Sequence, residues 1–285
     1  MPTTYAHWRF GCECIETLPQ NLKQIVHRYR ELFDLGVHGP DIFFYDLRHS
    51  DVSRYGYAVH EKPGRDFFER AIKVYKETEK DKEAMLAYLL GFLSHFTFDS
   101  QSHGYVERKK EVSGISHNKI EAEYDGYLMR QEGKAVNRVN RSASLKPSRF
   151  AAEIIARFFP FDEDVMLRTT RWQHLIIRTL FCKTSLKRNF IRSTLEKLNK
   201  LDDRDLIVEV NEMEGCKDSN LRMDKLKANA LLIYPELVND LMNALNSDEK
   251  LPAYFDHDFG PWPDYQEIPI LTLSEELEYK PELRK

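Results

Sequence analysis

Residues 85–98, MLAYLLGFLSHFTF, constrain the fold more than any other stretch of this chain. As a helix they have almost no polar face, because Met85, Leu86, Tyr88, Leu89, Leu90, Phe92, Leu93, Phe96 and Phe98 point all the way round it. A helix apolar on every side belongs at the centre of a bundle, where no face meets water. The rest of the chain must then supply helices to cover it.

Apolar periodicity elsewhere meets that requirement. Thr4 to about Thr17 carries Tyr5, Trp8 and Ile15 at helical spacing. Pro19 suits the first turn of a second helix, whose stripe is Leu22, Ile25, Val26, Tyr29, Leu32 and Phe33 and whose end is Gly36. Further helices are expected over about 65–78, 148–158, 162–182, 184–199 and 222–246. Asp81 is the expected N-cap of the central helix and Ser116 that of the helix after it. Asp46 to Pro63 lacks helical periodicity and reads as a long loop of the functional kind. Gly104 and Gly114 bracket what reads as a charged connection, ERKKE. Leu206–Val210 has strand composition, although a strand without partners is unstable. After Leu251, four prolines point to an extended surface tail over 251–285. The expected fold is therefore all-α, a single-domain multi-helix bundle over 1–285 with a site between its central helices.

Composition narrows the class. With 42% hydrophobic and 31% charged residues, the chain is of the soluble globular type rather than the disordered one. A net charge of −4 gives no basis for a stable nucleic-acid partner. Cys12, Cys14, Cys182 and Cys216 form no CxxC pair and read as buried thiols. The first residues lack a basic stretch followed by an apolar run, and no run of ~18 apolar residues exists. The expectation is no transmembrane segment and a cytoplasmic location.

The polar residues of the central stretch carry the chemistry. His95, Asp99 and His103 follow one another at four-residue spacing, and His117 and Glu121 repeat it. Residues four apart share a helix face. A single His-xxx-Asp pair is best read as a hydrogen bond. Here the pair lies among Leu, Phe and Tyr, where unpaired charge is costly, and a second His/carboxylate pair follows closely. A cation removes that cost, and imidazole with carboxylate is a zinc donor set, so the expected site is multinuclear and binds zinc. There is no GxSxG, P-loop or GxGxxG, hence no support for a serine nucleophile or a nucleotide cradle.

The pattern resembles the zinc-dependent phospholipase C family. That family joins a His-xxx-Asp pair, a nearby His and a later His-xxx-Glu pair, which fall here on His95, Asp99, His103, His117 and Glu121. Its earlier members fall on His7 in AHWRFG, Asp41 in GPDIFFY and His60 in YAVHEKPG, with order and spacing agreeing over residues 3–130. The resemblance implies an all-helical fold holding two or three zinc ions (Zn2+). By it, His60, His95 and Asp99 hold one ion, with Asp41 either a further ligand or the group that orients the attacking water. His103, His117 and Glu121 hold a second, and His7 holds a third that shares Asp99. Secreted members complete the third site with a mature N-terminal tryptophan. This chain starts Met-Pro, so the Pro2 amine is the candidate replacement and Trp8 is not. The implied activity is hydrolysis of a phosphodiester, foremost a phospholipid, giving diacylglycerol and a phosphorylated head group. A nuclease acting on single-stranded nucleic acid, as in the related zinc nucleases, and a non-catalytic metal-binding protein are the alternatives.

Overall fold

The structure, a computed structural model, describes residues 4–46 and 48–284. The first half runs α1 (Thr4–Thr17), α2 (Gln20–Arg28), α3 (Arg30–Gly36), α4 (Ser50–His60), α5 (Gly64–Glu77), α6 (Lys82–Ser113) and α7 (His117–Gln131). The second half runs α8 (Arg149–Ala156), α9 (Glu163–Leu180), α10 (Ser185–Lys197), α11 (Leu201–Asp205), α12 (Lys217–Asn246) and α13 (Leu273–Glu278). Among the described residues there is no strand, and no helix is long and apolar enough to cross a membrane. The protein is all-α, and one continuous hydrophobic core reaches from Tyr5 to Phe259.

α6 is the axis of that core. Every residue from Ala84 to Gln101 on it is buried, as the apolar run requires. α3 lies against it so closely that a Cβ on Gly91 would sit 2.3 Å from the Phe33 carbonyl, and one on Gly36 2.4 Å from that of Tyr88. Glycine at both positions lets the two backbones touch. α12 covers another flank, where the Tyr234 hydroxyl donates to the Leu90 carbonyl at 3.0 Å. Phe67 stacks on Phe92 with centroids 3.7 Å apart, which closes the α5 side.

Several local expectations need correction. The supposed loop over Asp46–Pro63 contains α4, whose buried side is only Val52, Gly56 and Val59. A stripe that short, with glycine as one member, is easily missed as periodicity. The ERKKE segment is no connection, because α6 runs straight through it. The helix stops at Gly114, whose φ of 72° suits the left-handed C-cap that glycine favours. Asp81 stands at the N-terminal boundary of α6 but does not cap it; its φ is 62° and its carboxylate pairs with Arg157 at 2.9 Å. Ser116 does cap α7, accepting from the Lys119 N–H at 3.2 Å. Leu206 and Ile207 form no strand and instead bury into a small satellite cluster with Leu180.

The residues after Leu251 are mostly extended, interrupted by 3₁₀ turns at Ala253–Asp256 and Tyr265–Glu267 and by α13. They are anchored all the same. Phe255 and Phe259 are fully buried. Glu276 receives two hydrogen bonds from Arg222, at 2.7 and 3.0 Å, with both side chains out of solvent. The Arg222 guanidinium also lies over the rings of Tyr105 and Tyr279, which compensates its burial.

Candidate metal centre

Five elements deliver polar side chains to the middle of α6. α6 itself presents His95, Asp99 and His103 along one face, and α1 contributes His7 from its first turns. A 3₁₀ turn, Gly39–Tyr45, carries Asp41. α4 ends on His60, while α7 begins with His117 and offers Glu121 one turn later. Gly39 is needed for this crossing: its φ is +48°, and a Cβ there would lie 2.2 Å from the His95 ring.

The donor atoms gather into three groups, each with all its atoms within 4.8 Å of one another. One is His7, His95 and Asp99; the second is Asp41, His60 and His95; the third is His103, His117 and Glu121. His95 therefore belongs to two groups. His60 keeps company with Asp41 and His95, whereas Asp99 sits with His7. The two Asp99 oxygens divide their contacts, Oδ1 lying 3.1 Å from His7 Nε2 and Oδ2 3.0 Å from His95 Nε2. Asp99 Oδ1 also lies 3.6 Å from His103 Nε2, linking the third group to the first. His117 Nε2 is 3.0 Å from Glu121 Oε1. All eight residues singled out from the sequence thus converge, while the Pro2 amine lies outside the described residues.

The donor set fits zinc on three counts. First, His95 Nε2, both Asp99 oxygens, Asp41 Oδ2 and Glu121 Oε2 are buried with no hydrogen-bond partner. Buried polar atoms without partners are rare because each carries an uncompensated desolvation cost. Second, the imidazoles are oriented from behind. His60 Nδ1 donates to the Gly56 carbonyl at 2.7 Å, His95 Nδ1 to Val37 at 3.2 Å and His103 Nδ1 to Phe259 at 2.6 Å. A carbonyl only accepts, so Nδ1 carries the proton and Nε2 turns its lone pair toward the carboxylates. Glu107 does the same for His117, 2.6 Å from its Nδ1. Third, imidazole and carboxylate in compact groups are the ligands zinc takes.

The electrostatics call for positive charge at the same place. Burial works to raise Asp99, yet His103, His95 and His7 outweigh it and hold the carboxyl well below its usual range. Glu121 is depressed in the same way, chiefly by His117 against burial. Burial lowers His103, but Asp99 and Glu121 lift it to about 10. His7 and His117 are also raised, each against its own burial. Protons on these imidazoles and a bound cation are alternative counter-charges for the same carboxylates.

Other histidines stand apart. Burial, together with the charge on His7, lowers His38 to about 3, so it stays neutral outside the three groups. His49 contacts Asp46 at 3.0 Å, and Asp46 also receives Arg168 at 2.8 Å. Cys12 accepts from Arg30 at 3.0 Å, and neither it nor buried Cys14 joins a donor group.

Sequence reasoning missed two supports of the site. Glu107 continues the four-residue spacing of His95, Asp99 and His103, a signal hidden by reading ERKKE as a connection. Phe259 had no signal at all, because it acts mainly through its backbone. Its N–H donates to the His60 carbonyl at 3.3 Å, and its carbonyl accepts from His103. Its buried ring lies 5.5 Å from that of His60 and 6.0 Å from that of His95.

An all-α bundle in which three His/carboxylate groups converge offers candidate sites for metal ions. Residues 6–166 match the family described as zinc dependent phospholipase C. The match spans more than half of the chain, which belongs to that family; it contains all eight donors and continues into the start of α9. Comparison with curated proteins finds no match, and neither does comparison with solved structures.

Proposed function

We propose that this protein hydrolyses phosphodiesters as a phospholipase C, with a phospholipid as its substrate. The observation that carries the reading is the convergence of three His/carboxylate groups in which His95 Nε2, both Asp99 oxygens, Asp41 Oδ2 and Glu121 Oε2 are buried without a hydrogen-bond partner. When bound, zinc supplies Lewis-acid stabilisation of phosphoryl charge and makes water acidic enough to attack near neutral pH. His103, His117 and Glu121 would hold one ion, and Asp41, His60 and His95 another. A third would take His7 and Asp99 together with the shared His95.

The chain's own residues then have distinct tasks. Asp41 is the candidate to orient the attacking water and accept its proton. Its Oδ1 is engaged by His60 Nε2 at 3.0 Å, while its Oδ2 is buried, unpartnered and 3.8 Å from His95 Nε2. The carbonyls of Gly56, Val37 and Phe259 and the carboxylate of Glu107 keep four imidazoles in one tautomer and one direction.

One feature favours a second reading. Phe44 stacks on His60 with centroids 5.1 Å apart, and exposed Tyr57 lies 4.5 Å beyond it. An aromatic platform beside the site suits a stacked base, as in a nuclease for single strands. Release of diacylglycerol from phosphatidylcholine, compared with cleavage of single-stranded DNA and RNA, each with and without chelator, separates the readings. The phospholipase proposal expects chelator-sensitive release of diacylglycerol. Cleavage of nucleic acid alone would replace it with the nuclease reading, and full zinc with no cleavage of either would leave a metal-binding protein.

A further inference from the structure

α10 differs from every other long helix of the protein in having no buried residue. Its half-buried Ile191 and Leu195 lean on the small satellite cluster of Leu180, Leu206 and Ile207, apart from the main core. A second apolar pair, Leu186 and Phe190, is also spaced four apart and is rotated from the first by about 140° around the helix. These two side chains are 80% and 71% exposed, values that exclude any packing role within the chain.

The charge around them is equally uneven. Residues 183–200 hold Lys183, Lys187, Arg188, Arg192, Lys197 and Lys200 against the single acid Glu196, in a chain whose net charge is −4. Arg192 pairs with Glu209 and Lys200 with Asp203, while Glu196 pairs with Arg204. Lys183, Lys187, Arg188 and Lys197 have no carboxylate partner among the described residues. Exposed Leu and Phe set among unpaired Lys and Arg are the chemistry of a helix lying in the plane of an anionic membrane surface.

The position relative to the metal centre gives this surface a use. α11 follows α10 directly and is fastened to the start of α7. Ser116 donates to Asp205 at 2.6 Å, and Asn118 donates to the Asp202 carbonyl at 3.1 Å. These two anchor points flank His117, one of the eight candidate donors. We infer that α10 and α11 form an interfacial docking element that seats the protein on an anionic phospholipid bilayer and holds that bilayer near the His117 edge of the centre. The inference rests on the phospholipid reading for its purpose, but not for its test.

The test is flotation of the whole, zinc-loaded protein with vesicles, with released diacylglycerol measured in the same samples so that binding and hydrolysis are read separately. Vesicles of phosphatidylcholine alone are compared with vesicles also containing phosphatidylserine. Wild type should float with the phosphatidylserine vesicles and much less with phosphatidylcholine alone. Lys183→Glu with Lys187→Glu should lower that partition by about tenfold or more, since each basic residue near such a surface contributes severalfold. Leu186→Ser with Phe190→Ser should lower it as well, with the helical circular dichroism unchanged because both positions are exposed. Equal flotation of wild type and both double variants would overturn the inference. So would a wild type that stays unbound, or one that dimerises through this face and becomes monomeric in the Leu186/Phe190 variant. Binding to vesicles without release of diacylglycerol from them would leave the docking surface standing and remove the phospholipase reading instead.

Discussion

The stretch that matches the family and the stretch that follows it make opposite contributions to one site. Residues 6–166 supply every candidate donor, from His7 to Glu121. The later residues supply no member of the three groups, yet one of them, Phe259, joins Val37, Gly56 and Glu107 of the first stretch in aiming the imidazoles from behind. Phe259 receives the Nδ1 proton of His103 and gives its own N–H to the His60 carbonyl. The contrast teaches that a cluster of ligands and the scaffold that aims them can lie far apart in sequence. Donors have to be His, Asp or Glu, whereas a carbonyl that orients an imidazole can belong to any residue.

The sharpest way to break the comparison is to remove the residue that touches most of the centre. Asp99→Ala takes away the contacts to His7, His95 and His103 together. Phosphodiesterase activity should fall by about three orders of magnitude or more, the scale of several kcal/mol of lost charge stabilisation, with a parallel drop in zinc content. An Asp99→Ala protein with normal zinc and normal turnover would refute the donor assignment.

The later stretch is probed by Arg222→Ala, which leaves Glu276 buried without its cation. Urea unfolding should show a loss of ~3–5 kcal/mol. A loss below ~1 kcal/mol would mean that the C-terminal residues are not held as described. Glu107→Gln then separates orientation from ligation, because it keeps the shape but weakens the hold on His117 Nδ1. Zinc affinity should drop by about 10- to 100-fold in competition with a chelating dye, and unchanged affinity would assign Glu107 to the surface.

A smaller effect follows from the proton inventory. His103, lifted to about 10, carries a proton near neutral pH when no metal is bound, and His7 and His117 are shifted in the same direction by the neighbouring carboxylates. Zinc added to chelator-stripped protein in weak buffer should therefore release protons, and its affinity should fall as the pH is lowered. Affinity that rises toward acid would contradict the arrangement of charges.

What could be read in advance followed from chemistry that repeats along the chain. The all-round apolar face of residues 85–98 dictated a central helix, and the four-residue spacing after it exposed five of the eight donors. His7, Asp41 and His60 needed the family resemblance, because each stands alone in sequence. α4 escaped notice because its buried stripe is three residues with a glycine among them. The passage of α6 through ERKKE escaped because a charged run flanked by glycines looks like a linker, although Gly104 packs inside the helix against Ile268. The role of Phe259 was invisible because a backbone carbonyl leaves no mark on residue type.

The central claim is that these three groups hold zinc. Its most direct test is the zinc content of the purified, dialysed protein, measured by mass spectrometry against protein concentration. The arrangement predicts two or three zinc ions per chain, depending on whether the His7 group fills. A content below one ion per chain would contradict it.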